Sequence, residues 1–450
     1  MDKRFANLIT FLICLSFSIT FSHCGCGGGG TPEADIKMGD PVAVKTQTIG
    51  TAGGVISVTD ASSPLNGLTI TFPAGAASAN TDISVSYADI DAAGSTLPES
   101  TKPVSKMLVL SSSAVASFDK PVTITLPYDI KLAVSNEFVN AYEYVSATYK
   151  DNTQKRIEVA SITGRNTTAG NVSFYVRHFS NYLILEWAKK VTDIMTTSAD
   201  FTYDTGFSVQ NDGWFIANYG SILNPGGNCI GMSSFAKWFF TWKGLLSDGS
   251  GLYNKYRLGD PDKWEDDNCA IEAASRMQLG ESAIWTASAA QMRTIGMSSL
   301  ETAKSFVQAM RDTGQPQILY ISQRYDDGTY GGAHAVLIYA YSNGSFKIYD
   351  PNLPGKADRS VTYTYNGNWG IYNSGKVAGD SRFQYNNFGI VGSSLFHGFD
   401  NASNIYDMAE TDPCFTNSLF PTITLTSPTD TDNDGKLDVS STAEVGTSCW

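Results

Sequence analysis

Short segments in which apolar and polar residues alternate dominate the chain from about residue 51 to residue 187, and turn-forming pairs such as Asn66-Gly67 separate them. A two-residue period is the pattern of a strand with one buried face. Many short strands without helical stretches are typical of a β-sandwich. The pattern therefore predicts an all-β sandwich over residues 51–187, with its clearest strands at 55–58, 68–72, 83–86 and 122–126.

The periodicity changes near residue 190, where apolar positions begin to recur every three to four residues. This spacing predicts helices, and a later return to short apolar runs predicts strands. Helices first and strands afterwards indicate an α+β domain, which we place at residues 190–415. The expected fold is multidomain, with the all-β sandwich followed by this α+β domain. Its helices are predicted at 229–246, 264–279, 282–295 and 298–312, and its strands at 317–321, 335–341 and 346–349.

Residues 1–25 have the layout of a secretory signal peptide. A basic start at Lys3 and Arg4 is followed by an apolar run, which is short for a membrane span and leads into Cys24 and Cys26. A cysteine at the cleavage point resembles bacterial lipoproteins, whose first mature residue is a lipid-modified cysteine, so Cys24 and Cys26 are candidates for lipidation. A plain secreted protein is the alternative. Residues 26–50, rich in Gly, Pro, Thr and Asp, are expected to form a flexible tether.

The signal-like start predicts an exported protein of the cell envelope. We expect a lipoprotein of the outer membrane or cell surface, or otherwise a periplasmic or secreted protein. The formal net charge of −13 repels phosphate backbones and disfavours nucleic-acid binding. The expected partners are a membrane, reached through the lipid anchor, and an extracytoplasmic peptide or protein substrate.

The C-terminal segment 416–450 contains an acidic loop. Alternating carboxylates around a glycine supply the hard oxygen ligands that calcium prefers, although the Glu that closes an EF-hand loop is missing. The loop is a candidate calcium site, and an acidic solvated turn is the alternative. The whole segment is expected to be an acidic tail or a truncated β domain. The candidate ligands are Asp430, Asp432, Asp434 and Asp438.

The most informative segment for chemistry surrounds Cys229. A glycine pair and Asn228 precede it and an apolar helical pattern follows, which places the cysteine at a predicted helix N-terminus. There the helix dipole and free backbone N–H groups stabilise the reactive thiolate, and the same N–H groups suit an oxyanion. A buried structural cysteine is the alternative. With Cys229 free, the other cysteines beyond the signal region leave at most one disulfide, for which Cys414 and Cys449 are the candidates.

Histidine is scarce, which narrows the choice of a general base. Of the four in the chain, His334 follows a Gly-Gly turn at the mouth of an apolar strand, where a ring is held firmly yet remains reachable. Asp350 follows the next predicted strand, sixteen residues further on. A hairpin of that length would return its carboxylate to the imidazole. His397 has no such neighbours and is expected to be structural.

Three short blocks resemble the papain-like cysteine peptidase superfamily, including its bacteriocin-leader-processing members. They are Gly-Asn-Cys-x-Gly-Met-Ser around Cys229, Gly-Gly-x-His-Ala-Val-Leu around His334 and Tyr-Asp-Pro-Asn around Asp350. The resemblance covers about residues 195–400. It implies Cys229 as nucleophile, His334 as general base and acid, and Asp350 as the orienting group, with no cofactor required. Six residues before the nucleophile, where the family has an oxyanion-binding Gln, this chain has Leu223, and the nearest amide side chains are Asn224, Asn218 and Gln210.

Residues 51–187 resemble the ZU-type β-sandwich of netrin receptors, ankyrins and bacterial surface proteins. The likeness lies in Gly-Gly-Val-Ile at 53–56, Leu-Thr-Ile-Thr-Phe-Pro-Ala-Gly-Ala at 68–76, Phe-Asp-Lys-Pro-Val at 118–122 and His-Phe-Ser-Asn-Tyr at 178–182. Some members cleave themselves within such a His-Phe-Ser triplet. This implies His178 as a base that lets the Ser180 hydroxyl attack the Phe179 carbonyl. The alternative is a final strand in which His178 and Ser180 only pack or hydrogen-bond.

Three functions are compatible with these patterns. The first is an exported cysteine peptidase or amidase that hydrolyses peptide bonds through a Cys–His–Asp triad and a thioester. The second is a transglutaminase-like acyl transferase, a family that usually has an aromatic residue two places after the histidine, where this chain has Val336. The third is a non-catalytic surface binding or adhesion protein with a degenerate papain-like domain.

Overall fold

The computed structural model describes residues 33–99, 101–114, 117–133, 139–187, 202–221, 223–257, 268–292, 299–364, 368–375 and 379–411. Within these ranges the chain is mostly β-sheet, arranged in several sheets. The expected signal peptide, with Cys24 and Cys26, lies outside the described residues. So does the acidic loop with Asp430, Asp432, Asp434 and Asp438.

Two large antiparallel sheets and a two-stranded ribbon make up the N-terminal half. Their strands are β1 Asp35–Met38, β2 Val42–Ile49, β3 Gly54–Ser57, β4 Thr69–Phe72, β5 Thr81–Ala88, β6 Ile90–Thr96, β7 Thr101–Pro103, β8 Met107–Ser112, β9 Val122–Pro127, β10 Val139–Tyr149, β11 Asn152–Val159, β12 Ser161–Asn166, β13 Asn171–Val176 and β14 Asn181–Trp187. One sheet has the order β11-β10-β14-β8-β5-β2, with β7 beside β14. The other has the order β12-β13-β9-β4-β3, and β1 pairs with β6 in a separate ribbon.

The two sheets share one apolar core. It contains Ile83 and Val85 from the first sheet and Ile70 and Ile124 from the second, all fully buried. Residues 35–49 belong to this half, because β2 pairs with β5 along its length. The flexible tether expected up to residue 50 is therefore wrong for this stretch. As an edge strand with mostly exposed side chains, β2 carries little of the apolar alternation that identifies a strand.

The C-terminal half surrounds a seven-stranded sheet with helices. The helices are α1 Val209–Asp212, α2 Cys229–Trp242, α3 Leu252–Lys255, α4 Asn268–Met292, α5 Ser299–Thr313 and α6 Phe399–Thr411. The strands are β15 Thr202–Asp204, β16 Gln317–Arg324, β17 Tyr330–Ser342, β18 Ser345–Tyr349, β19 Ser360–Thr364, β20 Asn368–Trp369, β21 Tyr372–Asn373, β22 Gln384–Tyr385 and β23 Asn387–Val391. The sheet order is β20-β19-β18-β17-β16-β23, with β15 also paired to β17, and β21 pairs with β22.

One long helix, α4, replaces the two helices predicted at 264–279 and 282–295. It continues through Gly280, where a Cβ atom would lie only 1.7 Å from the Nε2 atom of His397. The glycine therefore allows the segment that contains His397 to approach the helix closely, and it does not break the helix. Within the ranges described, no helix is both long and apolar enough to span a membrane.

The two halves meet across a buried polar interface. Lys237 of α2 lies 3.3 Å from the carboxylate of Glu158 on β11, and Arg177 lies 3.1 Å from that of Glu281 on α4. All four side chains are mostly or fully buried. Separating such pairs would leave charges uncompensated in a poorly hydrated interior. The helix that begins with Cys229 is thus held against the N-terminal half.

Candidate active site

Cys229 is the first residue of α2, which is buried along nearly its whole length. The close approach of α4 to this end depends on Gly231, since a Cβ there would lie 2.3 Å from the carbonyl oxygen of Ala274. The backbone N–H of Gly231 donates to Gln278 Oε1 at 2.9 Å. Packing against α4 therefore fixes the position of the helix end that carries the sulfur.

A β-hairpin carries the other two candidate residues. His334 lies within β17 and Asp350 follows directly after β18, which pairs with β17. The connecting turn is Asn343-Gly344, with positive φ angles of 49° and 76°. This pair is the sequence preferred in two-residue hairpin turns of type I′, which fix strand register. The turn therefore fixes the register of β17 and β18, and with it the position of Asp350 relative to His334.

The structure brings the imidazole and the carboxylate into direct contact. His334 Nε2 lies 2.8 Å from Asp350 Oδ1, and both side chains are buried. The backbone N–H of Asn352 also donates to Oδ1, at 2.8 Å, and the Tyr372 hydroxyl donates to Oδ2 at 2.7 Å. Burial would raise the pKa of Asp350, but the charge of His334 and hydrogen bonds with His334, Ser374 and Tyr372 lower it overall. Asp350 is thus held as a carboxylate.

The thiol of Cys229 is hydrogen-bonded to His334. Since Nε2 is engaged by Asp350, the other ring nitrogen, Nδ1, is the one left to face the sulfur. Burial would raise the pKa of Cys229, but His334 and the backbone N–H groups of Ala335 and Ile230 lower it overall. Burial would likewise lower the pKa of His334, but Asp350 and Cys229 raise it to about 10. Both shifts favour a thiolate–imidazolium pair.

Cys229 and His334 differ in solvent exposure. Only 3% of the His334 surface is exposed, and Tyr385 stacks beside the ring with centroids 6.1 Å apart. Cys229 is a free cysteine of intermediate exposure. The imidazole is therefore locked in one orientation, while Cys229 retains partial exposure.

The three amide side chains proposed for the oxyanion are placed differently. Asn224 Nδ2 donates to the carbonyl of Ser275 at 3.0 Å, so its amide is engaged with α4. Gln210 is an exposed residue of α1. Asn218 is nearest the site, because its Oδ1 accepts a hydrogen bond from the backbone N–H of Asn228, the residue before the nucleophile.

Asn218 belongs to a polar network that sequence reasoning missed. Its Nδ2 donates to Asn352 Oδ1 at 3.0 Å, and its backbone N–H donates to the Pro351 carbonyl at 3.0 Å. Asn352 Nδ2 in turn donates to Ser374 Oγ at 2.8 Å. The network ties the peptide before Cys229 to the segment after Asp350. Asn218 was a sequence candidate for the oxyanion and Asn352 stands in the Asp-Pro-Asn block, but the sequence did not indicate that they bond to each other.

The His-Phe-Ser triplet lies at the interface between the halves. His178 Nε2 is 2.7 Å from Glu143 Oε1, and its Nδ1 is buried without a partner among the described residues. The Ser180 hydroxyl donates to the Tyr144 carbonyl at 3.1 Å. The Phe179 ring packs edge-on against two other aromatic rings of the apolar core. The contacts of His178 and Ser180 thus run to different partners and not to each other.

His397, expected to be structural, is mostly buried beside Glu281. Its backbone N–H donates to Glu281 Oε1 at 2.7 Å, and Asn401 approaches its Nδ1 at 3.3 Å. Burial and the neighbouring charges of Arg177 and His178 lower the pKa of His397 to about 3. The ring is therefore neutral at physiological pH.

Cys269, on α4, is disulfide-bonded to a cysteine outside the described residues. Cys414 and Cys449 lie outside the described residues, so their expected pairing stays a prediction. Spacing along a chain does not reveal which cysteines meet in space. In the part of the chain that the structure describes, no cluster of three or more His, Cys, Asp or Glu side chains is arranged to hold a metal.

The chain matches no protein-family model and no curated protein sequence. The interpretation of the site therefore rests on its own geometry.

Proposed function

We propose that the chain is an exported cysteine peptidase or amidase, with a papain-like hydrolase domain packed behind a ZU-type β-sandwich. The observation that carries the proposal is the contact series from Cys229 through His334 to Asp350. A free thiol at a helix N-terminus, with a lowered pKa and a carboxylate-held imidazole, is the arrangement that activates cysteine as a nucleophile.

The chemistry follows from these positions. The Cys229 thiolate attacks the substrate carbonyl carbon, and the π electrons move to the oxygen. The tetrahedral intermediate collapses to a thioester as the C–N bond breaks and His334 gives its Nδ1 proton to the leaving amine. His334 then takes a proton from water, which attacks the thioester and releases the acid. The thiolate and the imidazolium are restored, and Asp350 stabilises the charged ring throughout.

We assign the oxyanion to the backbone N–H groups at the start of α2. Such groups have no partner within the helix and point toward developing negative charge. Asn218 is the side chain best placed to assist, because it lies against the residue before the nucleophile. One N–H of its Nδ2 is bonded to Asn352, so the second N–H would have to take the place of the family's glutamine.

An exported location fits a disulfide at Cys269, because disulfides persist mainly in oxidising compartments. With the signal-like N-terminus, this supports a protein of the cell envelope, anchored through Cys24 or Cys26. Its substrate would then be an extracytoplasmic peptide or protein.

The experiment is mass spectrometry of a peptide mixture incubated with the purified chain and, as a control, with the Cys229→Ala variant. New peptide termini that require Cys229 support the peptidase. Incorporation of an amine into glutamine-containing peptides would instead identify an acyl transferase. The absence of both reactions, with His334-independent labelling of Cys229, would favour a non-catalytic binding protein.

A further inference from the structure

A pocket of about 330 Å³ lies beside the polar network of the candidate site. Its lining combines backbone and side chains from two segments, one before the nucleophile and one after Asp350. The lining includes Ala217, Asn218, Tyr219, Asn352, Asp380, Arg382 and Phe383.

The polar wall of the pocket is hydrogen-bonded to residues of the candidate site and next to it. Asn218 on this wall bonds to the backbone N–H of Asn228, one residue before the nucleophile. Asn352 on the same wall bonds through its own backbone N–H to Asp350. These bonds place the pocket beside the segments that carry Cys229 and Asp350.

The charges at the pocket rim neutralise each other. Asp380 accepts hydrogen bonds from the Arg382 backbone and from the guanidinium, with the Nη2–Oδ2 contact at 2.8 Å. The guanidinium also lies 5.7 Å from the centre of the Phe383 ring. Because Asp380 and Arg382 pair with each other, neither offers an unpaired charge to a ligand. A charged side chain that entered the pocket would lose its water without gaining an ion-pair partner.

The remaining walls are apolar or aromatic. Ala217 and Phe383 are partly buried, and Tyr219 is 67% exposed at the opening. The volume lies near the lower end of the range for small-ligand sites, roughly 300–1,000 Å³, which suits one large side chain with its flanking backbone. The two asparagine amides on the polar wall offer partners for that backbone.

We propose that this pocket is a substrate subsite that takes an uncharged aromatic or large aliphatic side chain. The proposal rests on the peptidase function above, because it assumes that the substrate is a peptide. It adds the chemical class of a residue near the scissile bond.

The test is a binding measurement on the full chain with Cys229→Ala, in which peptides bind without turnover. Fluorescein-labelled peptides that differ only in one central residue, Phe, Leu, Asp or Lys, are titrated by fluorescence anisotropy. We expect the Phe and Leu peptides to bind about tenfold or more tighter than the Asp and Lys peptides, since a hydrophobic pocket discriminates on this scale. Equal affinities, or a preference for a charged residue, would overturn the proposal.

Two further substitutions locate the effect. Ala217→Phe fills the pocket and should abolish the preference for Phe. Arg382→Ala removes an 80% exposed side chain, leaves Asp380 unpaired and should strengthen binding of the Lys peptide relative to the Phe peptide. Since Arg382 is exposed, this second variant tests the site even if Ala217→Phe fails to fold. Unchanged preferences in a folded variant would contradict the assignment.

Failure of this proposal is distinguishable from failure of the proposed function. Iodoacetamide reacts with Cys229 in the unmodified chain without using the pocket. A His334-dependent alkylation rate with no peptide preference rejects only the subsite. If the unmodified chain prefers certain peptides but hydrolyses none of them, the peptidase function is rejected and the peptide-binding pocket is still supported.

Discussion

The chain contains two histidine–carboxylate pairs of nearly the same geometry, one in each half. His334 lies 2.8 Å from Asp350, and His178 lies 2.7 Å from Glu143. The pKa of each histidine is raised, because the carboxylate outweighs the opposing effect of burial. The pairs differ in what the second ring nitrogen meets. That of His334 faces the Cys229 thiol, whereas that of His178 is buried without a partner among the described residues.

A charged histidine therefore does not mark a site by itself. Near His334, the nucleophile begins a fourteen-residue helix and retains partial exposure. Near His178, the Ser180 hydroxyl is bonded to a backbone carbonyl, and the pair borders a cavity of about 50 Å³ between the halves. We interpret the first pair as catalytic and the second as structural. These two roles predict different effects of substitution in the two pairs.

The largest difference is expected between the two candidate nucleophiles. Cys229→Ser should lower peptide hydrolysis by about 10⁴-fold or more, since removing a nucleophile disables the whole triad. Ser180→Ala should leave the rate unchanged within about twofold, as its hydroxyl only bonds to a carbonyl. Steady-state kinetics on both variants checks this. Cleavage of the chain itself between Phe179 and Ser180, absent in Ser180→Ala, would contradict the structural role of the second pair.

The two histidines should give opposite phenotypes. His334→Gln should lower kcat by about 10³-fold or more, because the thiolate and the leaving amine both depend on its proton. His178→Gln should leave kcat nearly unchanged but lower the free energy of unfolding by about 3 kcal/mol, since it leaves the buried Glu143 unpaired. Kinetics and chemical denaturation of both variants test the assignment. A loss of activity in His178→Gln at constant stability would reverse it.

The two histidines should also differ in what their titration changes: His334 should affect kcat/KM, and His178 should affect stability. Hydrolysis requires the thiolate and the imidazolium together, so kcat/KM should rise through a pKa below the ordinary thiol value and fall above about 10. The stability provided by His178 should be complete below its unfolded-state pKa near 6.5 and lost as the pH rises through its raised folded-state pKa. A descending limb of kcat/KM near pH 6.5 would show that His334 is not held as proposed.

The last contrast concerns stability alone, at the interface that supports α2. Lys237→Met should lower the free energy of unfolding by about 3–5 kcal/mol, because it leaves Glu158 without its buried partner. The control is Lys106→Met, whose pair with Asp89 is exposed and should contribute less than about 1 kcal/mol. Chemical denaturation measures both. Equal effects would mean that the interface does not hold the nucleophile helix.

Sequence patterns predicted the change from strands to helices and the strand that precedes Asp350. They placed His334 just before a strand at 335–341, whereas β17 begins at Tyr330 and includes it. They failed where local signals are weak or ambiguous. The exposed edge strand β2 lacks apolar alternation, and Gly280 looks like a helix break because its contact with His397 is invisible in the sequence. Long-range packing decided both features.

The three blocks around Cys229, His334 and Asp350 pointed to residues that lie together. The predicted Gly-Gly turn before His334 is wrong, because Gly331 and Gly332 lie within β17. The supporting groups were not predictable in this way. Asn218 reaches the site from a loop and Tyr372 from the short strand β21, and nothing in their local sequence indicates which residue each one contacts. A hydrogen bond between distant segments leaves no periodic signal along the chain.

The most direct test of the account is the pH dependence of iodoacetamide alkylation at Cys229, compared between the natural chain and His334→Gln. We predict a thiolate pKa clearly below the ordinary value of about 8.5 in the natural chain, and a rise to that value or above when His334 is replaced. The same ordinary thiol pKa in both proteins would contradict the claim that the imidazole activates the sulfur.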